Sequence, residues 1–207
     1  MAIKIPATKT NLLKTKDTLS LCKEGYELLD EKRRLLLMEI TSLTETIERL
    51  QANVNNALSE AYSALEKAIV VMGKARIEDI AAGSDIDIKM DISEKKLMGT
   101  GIPSISLTLE ENSPFVSPVG IHPTVDQALM LLKEAIKHIA ELAEKKIAFQ
   151  RLEKEFQKTT KKVNALEKIH IPYYSNIVKI ISDRLDEESR ETFATLKELK
   201  KIRAAGS

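Results

Sequence analysis

Residues 12–71 determine the fold of this chain, and they read LLKTKDTLSLCKEGYELLDEKRRLLLMEITSLTETIERLQANVNNALSEAYSALEKAIVV. Apolar residues recur here at two positions of a seven-residue repeat. Only Thr15 and Arg33, among the 18 repeat sites, fall outside the apolar class. A repeat that is sustained this long is typical of a coiled-coil seam, whereas a globular helix has a wider apolar stripe. We therefore predict one long helix whose seam packs along a second helix.

The residues of this seam change in size along the helix. After Val54 they shrink from leucine and isoleucine to alanine, which should let the partner helix approach closely. At ~1.5 Å per residue the helix would be roughly 90 Å long. The predicted seam consists of Leu12, Thr15, Leu19, Cys22, Tyr26, Leu29, Arg33, Leu36, Ile40, Leu43, Ile47, Leu50, Val54, Ala57, Ala61, Ala64, Ala68 and Val71.

A second long helix should begin near Pro123, with Thr124 as its N-cap, and run to about Ile202. Pro172 lies inside this helix, where it removes a backbone donor and should bend the helix axis. The seam slips near Ile147. Its predicted residues are Leu129, Leu132, Ile136, Ile139, Ala143, Phe149, Leu152, Phe156, Thr159, Val163, Leu166, Tyr173, Ile177 and Ile180.

Between the helices the apolar period changes from seven to two. Residues 86–92 and residues 105–109 alternate apolar and polar side chains, which is the pattern of half-buried strands. Gly99, Gly101 and Pro103 lie between them. We predict an antiparallel hairpin with an irregular connection.

A chain of helix, hairpin and helix folds back on itself. The predicted fold class is therefore mainly α, with a long antiparallel two-helix coiled coil formed by the N- and C-terminal helices and a small central β-hairpin. We expect a single elongated domain over residues 1–207. Its parts would be the N-terminal helix (8–75), the hairpin with its loops (76–123) and the C-terminal helix (124–203).

The antiparallel arrangement also predicts a register. If the end of the first helix and the start of the second lie at one level, the numbers of facing residues sum to roughly 197. Gly25 would then face Pro172, and two helix-weakening residues at one height predict a shared bend. Arg33 would lie near Asn164 and Glu167, where a charged seam residue is expected to fix the register and not to catalyse a reaction.

Composition excludes several classes of function. The chain has 32 basic and 31 acidic residues, which gives a net charge of +1. This balance argues against a nucleic-acid-binding surface and against a polybasic membrane anchor. The single cysteine, Cys22, excludes an internal disulfide and suits a reducing compartment. We see neither a signal peptide nor a run of ~20 apolar residues that could span a membrane. We expect a cytoplasmic protein that reaches a membrane only through partners.

Motifs for catalysis are missing from the sequence. Gly73-Lys74 lacks the upstream glycine of a phosphate-binding loop, and Gly99-Thr-Gly101 suits a hairpin turn better than a ligand site. His138 and Glu141 lie one helical turn apart and could form one edge of a metal site, but a solvated helix face is the favoured interpretation. We expect no catalytic residue, no cofactor and no metal.

Residues 161–167, KKVNALE, followed by Ile171-Pro172, resemble the signature of the D subunit of the V-type and A-type rotary ATPases. Residues 6–33 are similar to the N-terminal helix of that family, and residues 97–103 are similar to its hairpin. The resemblance therefore spans nearly the whole chain.

The sequence departs from the family pattern in two places. The family usually has a basic residue where Asp30 stands and an acidic one where Arg34 stands, so the pair looks like a charge exchange. Lys161 and Lys162 stand where arginine is more usual. Lysine keeps the charge but lacks the planar fork that binds a carboxylate through two hydrogen bonds.

The resemblance implies a non-catalytic rotor shaft. In that family the coiled coil is the central stalk, which turns inside a hexamer of catalytic and non-catalytic subunits and is coupled to proton or sodium transport through a membrane ring. The middle of the chain would meet the small F subunit of the stalk and the adaptor on that ring. Expected hexamer contacts are Lys9, Lys14, Lys161, Lys162 and Lys197, for which solvated helix faces are the alternative. Expected stalk contacts in the hairpin are Lys89, Asp91, Ser93, Met98 and Pro103.

Two other classes remain as alternatives. A prefoldin-like chaperone also joins long helices through β-hairpins, but it would expose apolar residues at its free tips, where this chain has several lysines. A structural coiled-coil scaffold would need no hairpin at all.

Overall fold

The structure, a computed structural model, describes residues 6–83, 88–109 and 122–205. Two long helical segments flank a two-stranded antiparallel hairpin, which confirms the mainly α fold class. The chain forms two compact units, residues 1–34 with 157–207 and residues 35–156. The elements are α1 (Lys9–Met72), α2 (Lys74–Gly83), β1 (Ile88–Leu97), β2 (Thr100–Leu109), α3 (Pro123–Ala165), a π-helical turn (Leu166–His170) and α4 (Ile171–Ala205).

The heptad seam of α1 is confirmed almost throughout. Of its 18 predicted residues all but Val71 are buried or half-buried, so the repeat identifies the packed face of the helix. Val71 is exposed because α1 ends one residue later, at Met72. Gly73 then adopts a left-handed φ of +83°, which ends a helix and favours glycine.

A short helix occupies part of the stretch predicted as loop after residue 75. This helix, α2, begins directly after Gly73. Ile77 and Ile80 of α2 line an apolar cavity of about 300 Å³ together with Leu65 of α1 and Leu129 of α3. Apolar residues three apart give this helix one face to bury, a signal too short to separate it from a loop.

The core of the 35–156 unit forms where α1 and α3 meet. Leu50 and Val54 of α1 form a buried cluster with Leu142 of α3. Beside the cluster the Lys146 Nζ donates a 2.7 Å hydrogen bond to the Gln51 Oε1. The numbers of these two residues sum to 197, so the antiparallel register predicted from the sequence is confirmed here.

The seam of α3 differs from the predicted one in its first half. Leu132 and Ile139 are exposed, whereas Ala128, Ala135 and Leu142 are buried. The last turns of α1 also bury alanines. Small residues on both helices allow close approach of the backbones, and the larger side chains then lie at the edges of the contact.

The start of α3 also differs from the prediction. The helix begins at Pro123, and the His122 carbonyl accepts the first bond, from Val125 N–H at 3.0 Å. Proline is favoured at the first position of a helix, where its missing N–H costs nothing. Thr124 is therefore inside the helix and is not the N-cap, and its hydroxyl lies 3.1 Å from His122 Nδ1.

A π-helical turn precedes Pro172. Ile171 N–H donates to the carbonyl of Leu166, five residues back, where an α-helix would bond four back. A proline cannot donate to the preceding turn and its ring clashes with the carbonyl four residues before it. The wider turn accommodates both effects while the chain remains helical.

The π-helical turn also shifts the seam of α4. Tyr173 and Ile180, both predicted seam residues, are exposed, whereas Ile181 is buried and Tyr174 half-buried. Ile177 is buried as predicted. A π-turn holds one residue more than an α-turn, so Tyr174 and Ile181 take the places predicted for Tyr173 and Ile180, while Ile177 stays on the packed face.

The hairpin has a tight connection, not the irregular one predicted. Leu97 pairs with Thr100, which leaves a two-residue turn of Met98 and Gly99 with φ of 49° and 80°. Two positive φ values are characteristic of a type I′ turn, which matches the twist of the strands it joins. Gly101 and Pro103 lie within β2. The predicted strand residues 86 and 87, like residues 110–121, lie outside the described residues.

Candidate partner-binding surfaces

An apolar ridge runs along the last turns of α4. Phe193, Leu196, Leu199 and Ile202 are all exposed and follow one another at intervals of three residues. Residues three apart are neighbours on a helix surface. Each such step turns about 60° around the axis, so the four side chains form an oblique row. An exposed apolar row of this kind is a candidate protein–protein contact. We call these four residues the α4 ridge.

The start of α1 lies beside the α4 ridge. Thr8 and Lys9 line one groove with Glu188 and Phe193, and Lys197 lines an adjoining groove with Phe193. Lys9 and Lys197, two of the predicted hexamer contacts, therefore line neighbouring grooves that share Phe193. Both lysines are exposed.

The other lysines predicted to contact the hexamer are exposed on the same compact unit. Lys14 lies further along α1, while Lys161 and Lys162 lie in the last turn of α3. The two grooves beside the α4 ridge are not lined by them. All three side chains are accessible to a partner.

Asp30 is buried in α1 between two arginines. Its carboxylate lies 2.5 Å from Arg33 and 2.9 Å from Arg34. Asp30 and Arg34, the two residues that depart from the family pattern, therefore form an ion pair within one helix. Arg33 forms its ion pair in the same helix. The predicted proximity to Asn164 and Glu167 is not reflected in the hydrogen bonds and ion pairs of the described residues.

Gly25 and Pro172, the residues predicted to form a bend, have different surroundings. Gly25 is half-buried in unbroken α1, and a Cβ added there would meet no atom within 4 Å. Pro172 is exposed and lies directly after the π-helical turn. A larger side chain would therefore fit at position 25, and packing does not require glycine there.

The hairpin residues predicted as stalk contacts divide by exposure. Lys89, Asp91 and Ser93 are exposed on β1, and Met98 is half-buried in the turn. Pro103 is buried. The Pro103 side chain is therefore shielded from a partner, and the other four remain accessible at the surface.

Two residues of α3 that contact the hairpin were not singled out by the sequence. The Ile105 N–H donates a 2.8 Å hydrogen bond to Glu144 Oε2, and Arg151 Nη1 donates to Gly101 O at 2.7 Å. Burial on its own would raise the pKa of Glu144. The Ile105 hydrogen bond and the nearby lysine charges outweigh burial and hold this pKa below its ordinary 4.5. Contacts 39 and 50 residues apart in sequence leave no local pattern.

Neither a metal centre nor a membrane span is found in the part of the chain that the structure describes. No three histidine, cysteine, aspartate or glutamate side chains in residues 6–83, 88–109 and 122–205 come together as metal ligands. Over the same ranges no helix is both long and apolar enough to cross a bilayer.

Residues 11–201 match the model of the family described as the D subunit of ATP synthase. The chain belongs to this ATP synthase D-subunit family. It is 34% identical over 206 residues to the A-type ATP synthase D subunit of Pyrococcus horikoshii, with 97% of this chain and 95% of the relative covered. The A-type D subunit of Methanopyrus kandleri is 34% identical over 198 residues, covering 94% of this chain and 85% of the relative. The V-type ATP synthase D subunit of Thermotoga neapolitana is 33% identical over 196 residues, covering 95% of this chain and 97% of the relative.

Membership of the D-subunit family makes this chain a subunit of an ATP synthase complex. The expected resemblance is confirmed from residue 11 to residue 201. The chaperone and scaffold alternatives find no support in these relatives. The surfaces described above are therefore candidate contacts with other subunits of that complex.

Proposed function

We propose that this chain is the central rotor shaft of a V/A-type ATPase. It transmits torque between the hexamer that hydrolyses or makes ATP and the membrane ring that moves protons or sodium ions. The shaft itself is not catalytic. It works on the cytoplasmic side, peripheral to the membrane and held there through its complex.

The observation that carries this proposal is the seam of α1. A rotor must resist twisting and bending, and a seam that stays packed from Leu12 to Ala68 supplies that stiffness. Beside this seam, Lys146 of α3 donates a hydrogen bond to Gln51 of α1. An extended helical pair with a packed seam suits a mechanical role better than a catalytic one.

The contact with the hexamer is assigned to the end of the chain that holds the α4 ridge. Its apolar side chains would turn against the inner surface of the hexamer, with Lys9 and Lys197 beside them. Lys14, Lys161 and Lys162 would meet acidic side chains further along the shaft. Such exposed charges contribute more to orientation and association rate than to affinity.

The contact with the stalk is assigned to the hairpin. Lys89, Asp91 and Ser93 are exposed there, and they would meet the small F subunit or the ring adaptor and modulate the rate of ATP hydrolysis. No contact with nucleic acid and no insertion into the membrane is part of this proposal.

The eccentricity of the shaft is assigned to Gly25 and Pro172. A bend at this level would make the shaft press each catalytic subunit in turn. The π-helical turn before Pro172 supports this assignment, because such turns are common where a helix departs from a regular path.

The hexamer contact is tested by photo-crosslinking in the assembled complex. A benzophenone amino acid replaces Leu196 of the α4 ridge, and in a matched variant it replaces Ile92 of the hairpin; both positions are exposed. Irradiation at position 196 should link the chain to hexamer subunits and stop ATP turnover. Irradiation at position 92 should link it to a smaller subunit of the stalk. Crosslinks from position 196 to stalk subunits only would contradict the proposal.

A further inference from the structure

The two strands of the hairpin differ in burial. Nine of the ten β1 residues are exposed, whereas Ile102 and Ile105 of β2 are half-buried. The exposed β1 residues include Ile88, Met90 and Ile92, so the half-buried pattern predicted for this strand is wrong. A two-stranded ribbon is marginally stable by itself, so contacts along β2 must hold it.

Those contacts lie along the outer edge of β2. Gly101 O accepts the hydrogen bond from Arg151, and Ile105 N–H donates to Glu144. In a strand, backbone groups of alternate residues point to the same edge. Pro103 lies midway between Gly101 and Ile105, and its missing N–H therefore falls on this outer edge. The Gly101 carbonyl and the Ile105 N–H are thus bonded at this edge, and Pro103 between them has no N–H to satisfy.

The spacing of the two helical residues matches the spacing of the strand. Glu144 and Arg151 are two turns apart on α3, or ~10.5 Å. Gly101 and Ile105 are separated by four strand residues, or ~13 Å. The higher-numbered helix residue binds the lower-numbered strand residue, so β2 runs antiparallel to α3. Side chains of α3 take the place that a third strand would occupy.

Arg151 also reaches β1. The same Nη1 atom that binds Gly101 O lies 3.0 Å from Glu94 Oε1, so one guanidinium joins both strands. A Cβ at Gly101 would meet the Glu94 carboxylate. The absence of a side chain at position 101 is what leaves room for Glu94 to approach Arg151.

We propose that Glu144, Arg151 and Glu94 form a polar latch that holds the hairpin on α3 and can release it while the helices remain folded. None of the three belongs to the apolar cluster of Leu50, Val54 and Leu142, so opening the latch leaves that core unchanged. Release would free the outer edge of β2 for pairing with an extended segment.

The latch is sensitive to salt because part of it is exposed. The Arg151 side chain is 44% exposed and the Glu94 side chain 64% exposed. Ions screen an exposed pair of this kind effectively. Glu144 is better shielded, with 19% of its side chain exposed, and its charge lies close to Lys145 and Lys95. Rising ionic strength should therefore shift the hairpin toward the released state through the Arg151 contact first.

The test is amide hydrogen exchange in the full-length chain. Ile105 N–H points away from β1, so its protection reports the latch and not the pairing of the two strands. Glu144→Gln and Arg151→Met should each speed exchange at Ile105 about tenfold or more, with exchange at Leu142 unchanged. Glu141→Gln and Lys154→Met, which alter exposed residues one turn away on α3, are the matched controls.

Salt provides the second readout. Exchange at Ile105 in the unaltered chain should quicken from low to high salt, and Arg151→Met should remove most of that dependence. Unchanged exchange at Ile105 in both variants would overturn the latch. So would an equal rise at Leu142, because the contacts would then be part of the global fold and not a separate device.

Discussion

Ile180 and Ile181 are neighbours in α4 with opposite surroundings. Ile181 is 2% exposed and Ile180 is 53% exposed. The π-helical turn places the second of them, and not the first, on the packed face. The difference in burial between these two residues shows which side of α4 forms the seam.

Truncating these two residues should have unequal effects. Ile181→Ala should lower the free energy of unfolding by about 2–5 kcal/mol, because it leaves a cavity in the packed face. Ile180→Ala should change the free energy of unfolding by less than about 0.5 kcal/mol, because Ile180 is exposed and alanine has a high helix propensity. Urea denaturation followed by circular dichroism measures both. Equal losses would show that the two residues share the seam.

Gly25 gives a second test on a single residue. A Cβ there meets nothing, and the residue lies inside an unbroken helix. Gly25→Ala should therefore raise the free energy of unfolding by up to about 1 kcal/mol through helix propensity alone. The same denaturation measurement decides it. A loss of stability would mean that a side chain at position 25 makes unfavourable contacts, against the open surroundings of this glycine.

For whole helices and strands, predictability depended on how long a pattern is sustained. Along α1 exposed leucines such as Leu28, Leu35 and Leu37 stand beside seam residues, but the seven-residue repeat runs through 18 sites and therefore identified the buried face. Along α3 leucines and isoleucines stand beside alanines, and apolar character could not choose between Leu132 and Ala128. The π-helical turn has no sequence pattern of its own beyond Pro172. The hairpin latch joins residues too distant in sequence to be paired by spacing.

Removing the π-helical turn should leave the seam in place. Deleting Lys168 together with Pro172→Ala gives an uninterrupted α-helix, in which Ile177 and Ile181 keep their packed positions because the extra residue is gone. Its thermal midpoint, measured by circular dichroism, should equal or exceed that of the unaltered chain. Deleting Lys154 from regular α3 is the control. This deletion rotates all later residues by about 100° around the helix axis. It should lower the free energy of unfolding by several kcal/mol, because seam residues leave the packed face. Similar losses in the two variants would contradict the assignment of an extra residue to this turn.

Acid should open the hairpin latch. The pKa of Glu144 is held below 4.5 in the folded chain, so its contribution is present above that value and is lost as pH falls through the lowered pKa. Exchange at Ile105, corrected for the intrinsic effect of pH, should quicken between neutral pH and about pH 3. Glu144→Gln should weaken this dependence, and Glu144→Gln combined with Glu94→Gln should abolish it, because both carboxylates of the latch are then gone. A dependence that survives the double substitution would assign the acid effect to another group.

For the molecule as a whole, the sequence was sufficient to predict the fold class, because a repeat of this length followed by a hairpin and a second repeat has few other solutions. It was sufficient for the family, because KKVNALE and Ile171-Pro172 carry its signature. The surfaces that meet partners were harder to predict. The α4 ridge resembles core in sequence, and only its exposure in the structure marks it as a contact surface.

Single-molecule rotation decides whether this chain is a rotor shaft. Ser93→Cys, on the exposed side of β1, is introduced into a Cys22→Ser chain, a bead is attached there, and the hexamer of the assembled complex is fixed to a surface. A rotor shaft predicts unidirectional rotation of the bead on addition of ATP, and an arrest when the α4 ridge is crosslinked to the hexamer. Sustained ATP hydrolysis with a stationary bead would contradict the rotor proposal.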